Sequence, residues 1–167
     1  MEIKIARKNS MRVLQVSRET TIPGMAKTFG QAYLLISAYM ARKNVACEFA
    51  PFGRYRDLDW EKLHNTNPLV MFLTLPFKKW KIDIGYPVAY EVAGEGEIES
   101  TQLQAGKYLE CTHKGSYQTI CKTYQEIYAY AKQENLRLGT VVIESYLNDP
   151  KETKPEDLET KISAMLA

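Results

Sequence analysis

The hydrophobic positions of this chain change period several times, and each change marks an element. Met25, Phe29, Tyr33, Ile36 and Met40 recur at spacings of four and three, an apolar stripe along one helix face. Thr20-Thr21-Ile22-Pro23-Gly24 leads into it, since proline is tolerated in a first helical turn. Asn44 stands where a left-handed residue would end it. Tyr117, Ile120, Tyr124, Ile127 and Ala131 repeat the stripe, with Ser116 as N-cap and Asn135 as its end. Elsewhere the period is two. Residues 1–18 predict a strand interrupted near Asn9-Ser10, and residues 80–92, 107–113 and 161–166 predict three more. Residues 47–55 also read as a strand, in which Pro51 demands an edge or a bulge. Residues 57–66 suit a short helix around Trp60 and Leu63, and Pro155 opens one helical turn. Leu69-Val70-Met71-Phe72-Leu73 fits a short strand or a buried helix equally well.

The most informative strand is Thr140-Val141-Val142-Ile143-Glu144-Ser145-Tyr146-Leu147, closed by Asn148-Asp149-Pro150. Alternation sends Val141, Ile143 and Leu147 one way and Thr140, Val142, Glu144 and Tyr146 the other. If the second face lines a cavity, Glu144 is a buried acid that requires a cation or a proton. If it faces water, Glu144 is an ordinary solvated residue.

The two helical stretches match at one constant offset. A shift of 91 residues carries Tyr33 onto Tyr124, Ala38 onto Ala129, Tyr39 onto Tyr130, Asn44 onto Asn135 and Tyr55 onto Tyr146. The chain therefore reads as a single domain, residues 1–167, made of two pseudo-repeats at about 1–92 and 103–167. Each repeat is strand–helix–strand–strand. Two such units predict an α+β fold: an antiparallel sheet with helices on one face and a concave ligand-binding face. Glu144 aligns with Gly53, so one half supplies an acid and the other supplies space.

Composition narrows the function. A formal net charge of +2 is too small to argue for nucleic acid, and the basic run Phe77-Lys78-Lys79-Trp80-Lys81 reads as a solvated edge. Eleven tyrosines are an excess that suits either a ligand cleft or a core with polar edges. Cys47, Cys111 and Cys121 are odd in number and lack CxxC spacing, so reduced, buried thiols are expected. His64 and His113 do not form a metal motif, and Gly94 and Gly96 do not form a dinucleotide loop; no metal or cofactor is expected. The N-terminus does not read as a signal peptide and no window is apolar enough for a membrane span, so a cytoplasmic protein is expected.

Several stretches resemble one family. Gly85-Tyr86-Pro87-Val88, Leu103-Gln104-Ala105-Gly106-Lys107-Tyr108, Thr112-His113-Lys114-Gly115-Ser116-Tyr117 and Glu144-Ser145-Tyr146-Leu147-Asn148-Asp149-Pro150 are similar, in order and spacing, to the GyrI-like small-molecule-binding domains. Lys154-Pro155-Glu156-Asp157-Leu158 followed by Thr160-Lys161-Ile162 is similar to that family's ending. The resemblance implies an aromatic-walled pocket between the halves, on the concave face, with Glu144 as its acid. It implies lipophilic, often cationic ligands, as in effector-binding domains of multidrug-responsive regulators. The chain departs from the pattern at Lys161, where the family often has an acid, in lacking the closing proline, and in a long 57–80 connection. With no helix-turn-helix segment ahead of it, a stand-alone version is expected.

Three functions follow. The first is a small-molecule binder with Glu144 as anchor and Tyr146, Tyr108, Tyr55, Tyr90 and Trp80 as pocket wall. The second is a hydrolase of strained, cyclopropane-bearing toxins, with Glu144 as general acid or base and Tyr146 orienting water. The third is a protein-interaction role with a separate regulator or gyrase as partner. A binder without direct nucleic-acid or membrane contact heads the order.

Overall fold

The computed structural model describes residues 2–65 and 77–167. Eight strands form one sheet: β1 (Lys4–Lys8), β2 (Met11–Thr20), β3 (Phe52–Tyr55), β4 (Trp80–Pro87), β5 (Glu99–Leu103), β6 (Gly106–Lys114), β7 (Leu138–Tyr146) and β8 (Glu159–Leu166). Their order is β1-β6-β8-β7-β3-β4-β2-β5, and each ladder is antiparallel. Three α-helices accompany the described strands: α1 (Met25–Arg42), α2 (Trp60–Asn65) and α3 (Ile120–Gln133). The expected α+β class, with helices on one face of a curled antiparallel sheet, is the one observed.

The order reads alike from the centre outward, β7-β8-β6-β1 on one side and β3-β4-β2-β5 on the other. In the central ladder Gly53 lies directly opposite Glu144, and these are the two positions related by the 91-residue offset. A pseudo-twofold axis therefore passes between them. Both long helices stop as their sequences imply: Asn44 and Asn135 take φ values of 55° and 53°, a region that asparagine tolerates better than most residues.

Each helix covers its own half. Ala32, Ile36, Tyr39 and Met40 of α1 pack on Leu14, Val16, Ile82 and Ile84. Tyr124, Ile127 and Ala131 of α3 pack on Leu109, Cys111, Val142, Ile162 and Ala164. At ~1.5–3 kcal/mol for each large aliphatic side chain, these two layers hold the helices to the sheet. On the opposite face Val13, Phe52, Leu103, Tyr108 and Ile143 make a smaller apolar cluster drawn from five strands. Beside it lies a polar lock. Asp83, wholly buried, accepts Nε of Arg54 at 2.9 Å and pairs with Nη2 of Arg54 at 2.7 Å and of Arg56 at 2.9 Å. It also accepts the Ser17 hydroxyl at 2.7 Å. Arg54 and Ser17 are its direct cross-strand neighbours, so one carboxylate fixes the registers of both β3 and β2 on β4.

The structure corrects several expectations. The break expected near Asn9-Ser10 is present and separates two strands, which do not pair with each other. β1 pairs with β6, while β5, which the sequence pattern did not reveal, pairs with β2. The strand expected at 47–55 begins only at Phe52, because Pro51 carries no N–H for a ladder. The strand expected at 80–92 ends at Pro87. Of the three cysteines expected to be buried, only Cys111 is, and burial pushes its thiol up to about 12; Cys47 and Cys121 are exposed. The apolar run at 69–73 lies outside the described residues.

The polar lock gives the first prediction. Replacing Asp83 with Ala leaves Arg54 unpaired at 15 % side-chain exposure. Urea unfolding should show a loss of about 3 kcal/mol, the low end for breaking a buried pair, because Arg56 is already partly in water. A change below about 0.5 kcal/mol would mean that the register is fixed elsewhere.

Candidate functional site

Glu144 is 5 % exposed and lies on the helix-bearing side of the sheet, against Tyr124 of α3. The alternation of β7 puts it there, since Val142 on the same face packs under α3. Three tyrosines donate to it. Tyr124 of α3 reaches Oε1 at 2.6 Å, and Tyr146 of β7 reaches Oε2 at 2.8 Å. Tyr55 of β3 makes a longer contact to Oε2 at 3.4 Å. None of the ion pairs among the described residues involves Glu144.

The balance of forces on this carboxyl is one-sided. Moving an ionised carboxylate out of water costs several kcal/mol, and hydrogen bonds to it return ~1.5–3 kcal/mol each. Only two of the three are short. Burial accordingly raises the Glu144 pKa, while the hydroxyls of Tyr124, Tyr146 and Tyr55 pull it partly back. The same environment pushes those tyrosines well above their ordinary value, first by burial and then by the carboxylate beside them. They keep their protons and remain donors.

Further rings surround this core. Phe29 meets Tyr146 edge-on at 5.7 Å and Tyr33 at 5.8 Å; Tyr33 meets Tyr86 at 5.3 Å, and Tyr117 meets Tyr146 at 5.8 Å. Trp60 of α2 tilts against Tyr124 at 5.7 Å, and Trp80 of β4 meets Tyr55 at 6.3 Å. Gly53 explains how so many rings fit. A Cβ there would stand 2.9 Å from the Phe29 ring and 3.2 Å from the Tyr146 hydroxyl. In this conformation the protein's own rings occupy the space above the acid.

Of the residues nominated from the sequence, Glu144, Tyr146, Tyr55 and Trp80 are brought together. Tyr108 and Tyr90 are not. Tyr108 sits on the opposite face, buried beside Phe52 and Ile143, and donates to the Gln104 carbonyl at 2.8 Å. Tyr90 lies past the end of β4 at 53 % exposure. Phe29, Tyr33, Tyr117 and Tyr124, which the helical stripes place in helix packing, belong to this aromatic group as well. The signal for Tyr124 was available: it is the 91-residue mate of Tyr33, and a tyrosine in a buried stripe needs a partner for its hydroxyl. Tyr33 finds the Phe52 carbonyl at 3.2 Å, whereas Tyr124 finds the acid. His113 is structural: its ring nitrogens lie 2.8 Å from the Thr123 hydroxyl and 3.2 Å from the Ser116 carbonyl, tying β6 to the start of α3. A cavity of about 610 Å³ beside His113, Lys114, Lys122 and Lys161 is rimmed by charge, unlike the aromatic surroundings of Glu144.

Comparison with known proteins places this geometry in context. The model of the GyrI-like small molecule binding domain matches residues 1–167. Among solved structures, the EcmrR C-terminal domain is similar at a TM-score of 0.74 and 14% identity, covering 99% of this chain and 97% of that one. SAV2435 bound to tetraphenylphosphonium is similar at 0.66 and 12% identity, covering 100% and 94%. A hydrolase from Listeria innocua is similar at 0.64 and 15% identity, covering 99% and 92%. At these identities the likeness is one of fold. Among curated proteins no match is found.

The raised Glu144 pKa fixes a sign for stability. Between the unfolded and folded values the folded chain holds an extra proton, so stability falls as pH rises through that window and the loss is complete above the folded value. Glu144→Gln, which cannot ionise, should therefore melt above the wild type near pH 8. The gap should narrow towards about pH 4, where the native acid is protonated. A wild type that melts higher at the alkaline end would show that the carboxylate is stabilised there.

Proposed function

Since the chain belongs to the GyrI-like small-molecule-binding domain family, we propose that it binds lipophilic cations, with Glu144 as their counter-charge and tyrosine and tryptophan rings as the walls. The observation that carries this reading is a buried carboxylate supported by hydroxyl donors and paired with no cation among the described residues. A lipophilic cation supplies what such a group lacks. It offsets the desolvation of the carboxylate, and it gains from the faces of Tyr55, Tyr146 and Trp80 without needing water. A neutral molecule of equal size offers only the second gain, and a small hydrated cation only the first. The lipophilic cation in a fold neighbour, tetraphenylphosphonium bound to SAV2435, is of this class. Entry requires the rings above the acid to part, Phe29 being the one that fills the space over Gly53.

A second reading rests on the same carboxyl. A raised pKa next to tyrosine hydroxyls also suits a general acid or base, and one fold neighbour carries the name hydrolase. The two readings differ in what becomes of the ligand.

Titration of the intrinsic fluorescence with tetraphenylphosphonium and with neutral triphenylphosphine oxide separates the possibilities. The cation should bind at least tenfold more tightly, a difference of about 1.4 kcal/mol. The preference should vanish in Glu144→Gln. Affinity for the cation should rise with pH through the Glu144 pKa, because only the ionised form attracts it. Equal affinity for the two compounds, or a preference that survives the substitution, would refute the proposal. A cyclopropane-bearing substrate recovered ring-opened by mass spectrometry would favour the hydrolase.

A further inference from the structure

The chain has two tryptophans, and their indole N–H groups fare differently. Trp60 Nε1 donates to the Gly139 carbonyl at 2.8 Å. Trp80 Nε1 is sealed from solvent and has no acceptor among the described residues. Buried donors left unmade are few in native proteins because the donor has given up water for nothing. Such a group marks a place that an acceptor from outside the chain can complete. The packing around Trp80 is not poor. Its ring lies against both helix-covered cores, meets Tyr55 edge-on at 6.3 Å and carries the Lys78 ammonium at 4.0 Å from its centre.

The position of the unused donor is informative. Tyr55 stands between Trp80 and the acid: one side of its ring touches the indole, and its hydroxyl reaches Glu144 Oε2. Two polar demands thus flank the ring of Tyr55. Glu144 asks for positive charge, and Trp80 asks for an acceptor lone pair.

Resting on the reading of Glu144 as a cation anchor, we infer that Trp80 supplies a second polar contact, and that the cognate ligand carries an ether or carbonyl oxygen about one aromatic ring from its positive charge. Cations built of hydrocarbon alone satisfy the carboxylate and leave the indole N–H stranded. They fit the site but are not the ligands it discriminates for. This makes Trp80 a specificity residue and Glu144 an affinity residue, two roles that substitution separates.

The test uses two phosphonium salts of equal charge and length, triphenyl(3-methoxypropyl)phosphonium and triphenylpentylphosphonium, which differ by one oxygen in place of a methylene. Calorimetry on the wild type should favour the ether by roughly three- to tenfold, the range of one net hydrogen bond. Trp80→Phe should bind the two salts alike, and Glu144→Gln should weaken both while keeping their ratio. Equal binding in the wild type, with the Glu144 dependence intact, overturns the role of Trp80 and leaves the cation site standing. Binding of neither salt, or binding indifferent to Glu144→Gln, overturns the cation site and this inference together. If Trp80→Phe does not fold, ¹H–¹⁵N spectra of the wild type decide. The ether should move one indole resonance downfield, the pentyl salt should not, and the Trp60 indole should stay in place; equal shifts with both salts overturn the inference.

Discussion

Glu144 is a carboxylate removed from water at the centre of a sheet, and the surrounding structure is arranged to make that tolerable. Three hydroxyls converge on it from three elements, α3, β3 and β7. Their rings need room, and the room comes from Gly53, directly across the central ladder. That alignment depends on β3, a strand of only four residues, keeping its place. The Arg54–Asp83 lock on the opposite face keeps it there. A charge pair on one side of the sheet thus positions an unpaired charge on the other.

How much of this was legible in the sequence varied with the physics involved. The helices were, because a stripe of period 3.6 reports burial directly and Asn44 and Asn135 mark both ends. The strand carrying Glu144 was, because it is β-branched and bounded by a turn. β5 was not. In Glu99-Ser100-Thr101-Gln102-Leu103 only Leu103 is buried, so periodicity has nothing to detect; the ladder with β2 makes it a strand. The same limit applied to the site. Glu144, Tyr146 and Tyr55 could be found from alternation and the internal offset, whereas Tyr108 and Tyr90 were nominated by residue type, which does not say which face a ring takes.

Two similar halves with a single acid where they meet suit a site for an asymmetric ligand. The pairs Tyr33/Tyr124 and Tyr55/Tyr146 keep the same residue in both halves, yet the hydroxyls of Tyr33 and Tyr124 find different partners, the Phe52 carbonyl and the acid, because the acid occurs once. Tyr55 and Tyr146 approach the same oxygen from opposite strands. Placing one charge at the pseudo-axis lets both halves contribute to it, whereas an acid in each half would set two like charges side by side in the interior.

The crossed edges of the sheet bear on how the chain reaches this state. β1 has no partner near it in sequence; its ladder partner β6 lies about a hundred residues downstream, and β5 likewise reaches back to β2. During synthesis the first strand waits unpaired until β6 has emerged, and the first half lacks its outer strand until β5, in the connection between the halves, is made. Such a topology ties the two halves into one cooperative unit and places the slowest closure last. Lys4, Arg7 and Lys8 give the waiting strand a charged character that discourages it from pairing with the wrong neighbour in the meantime.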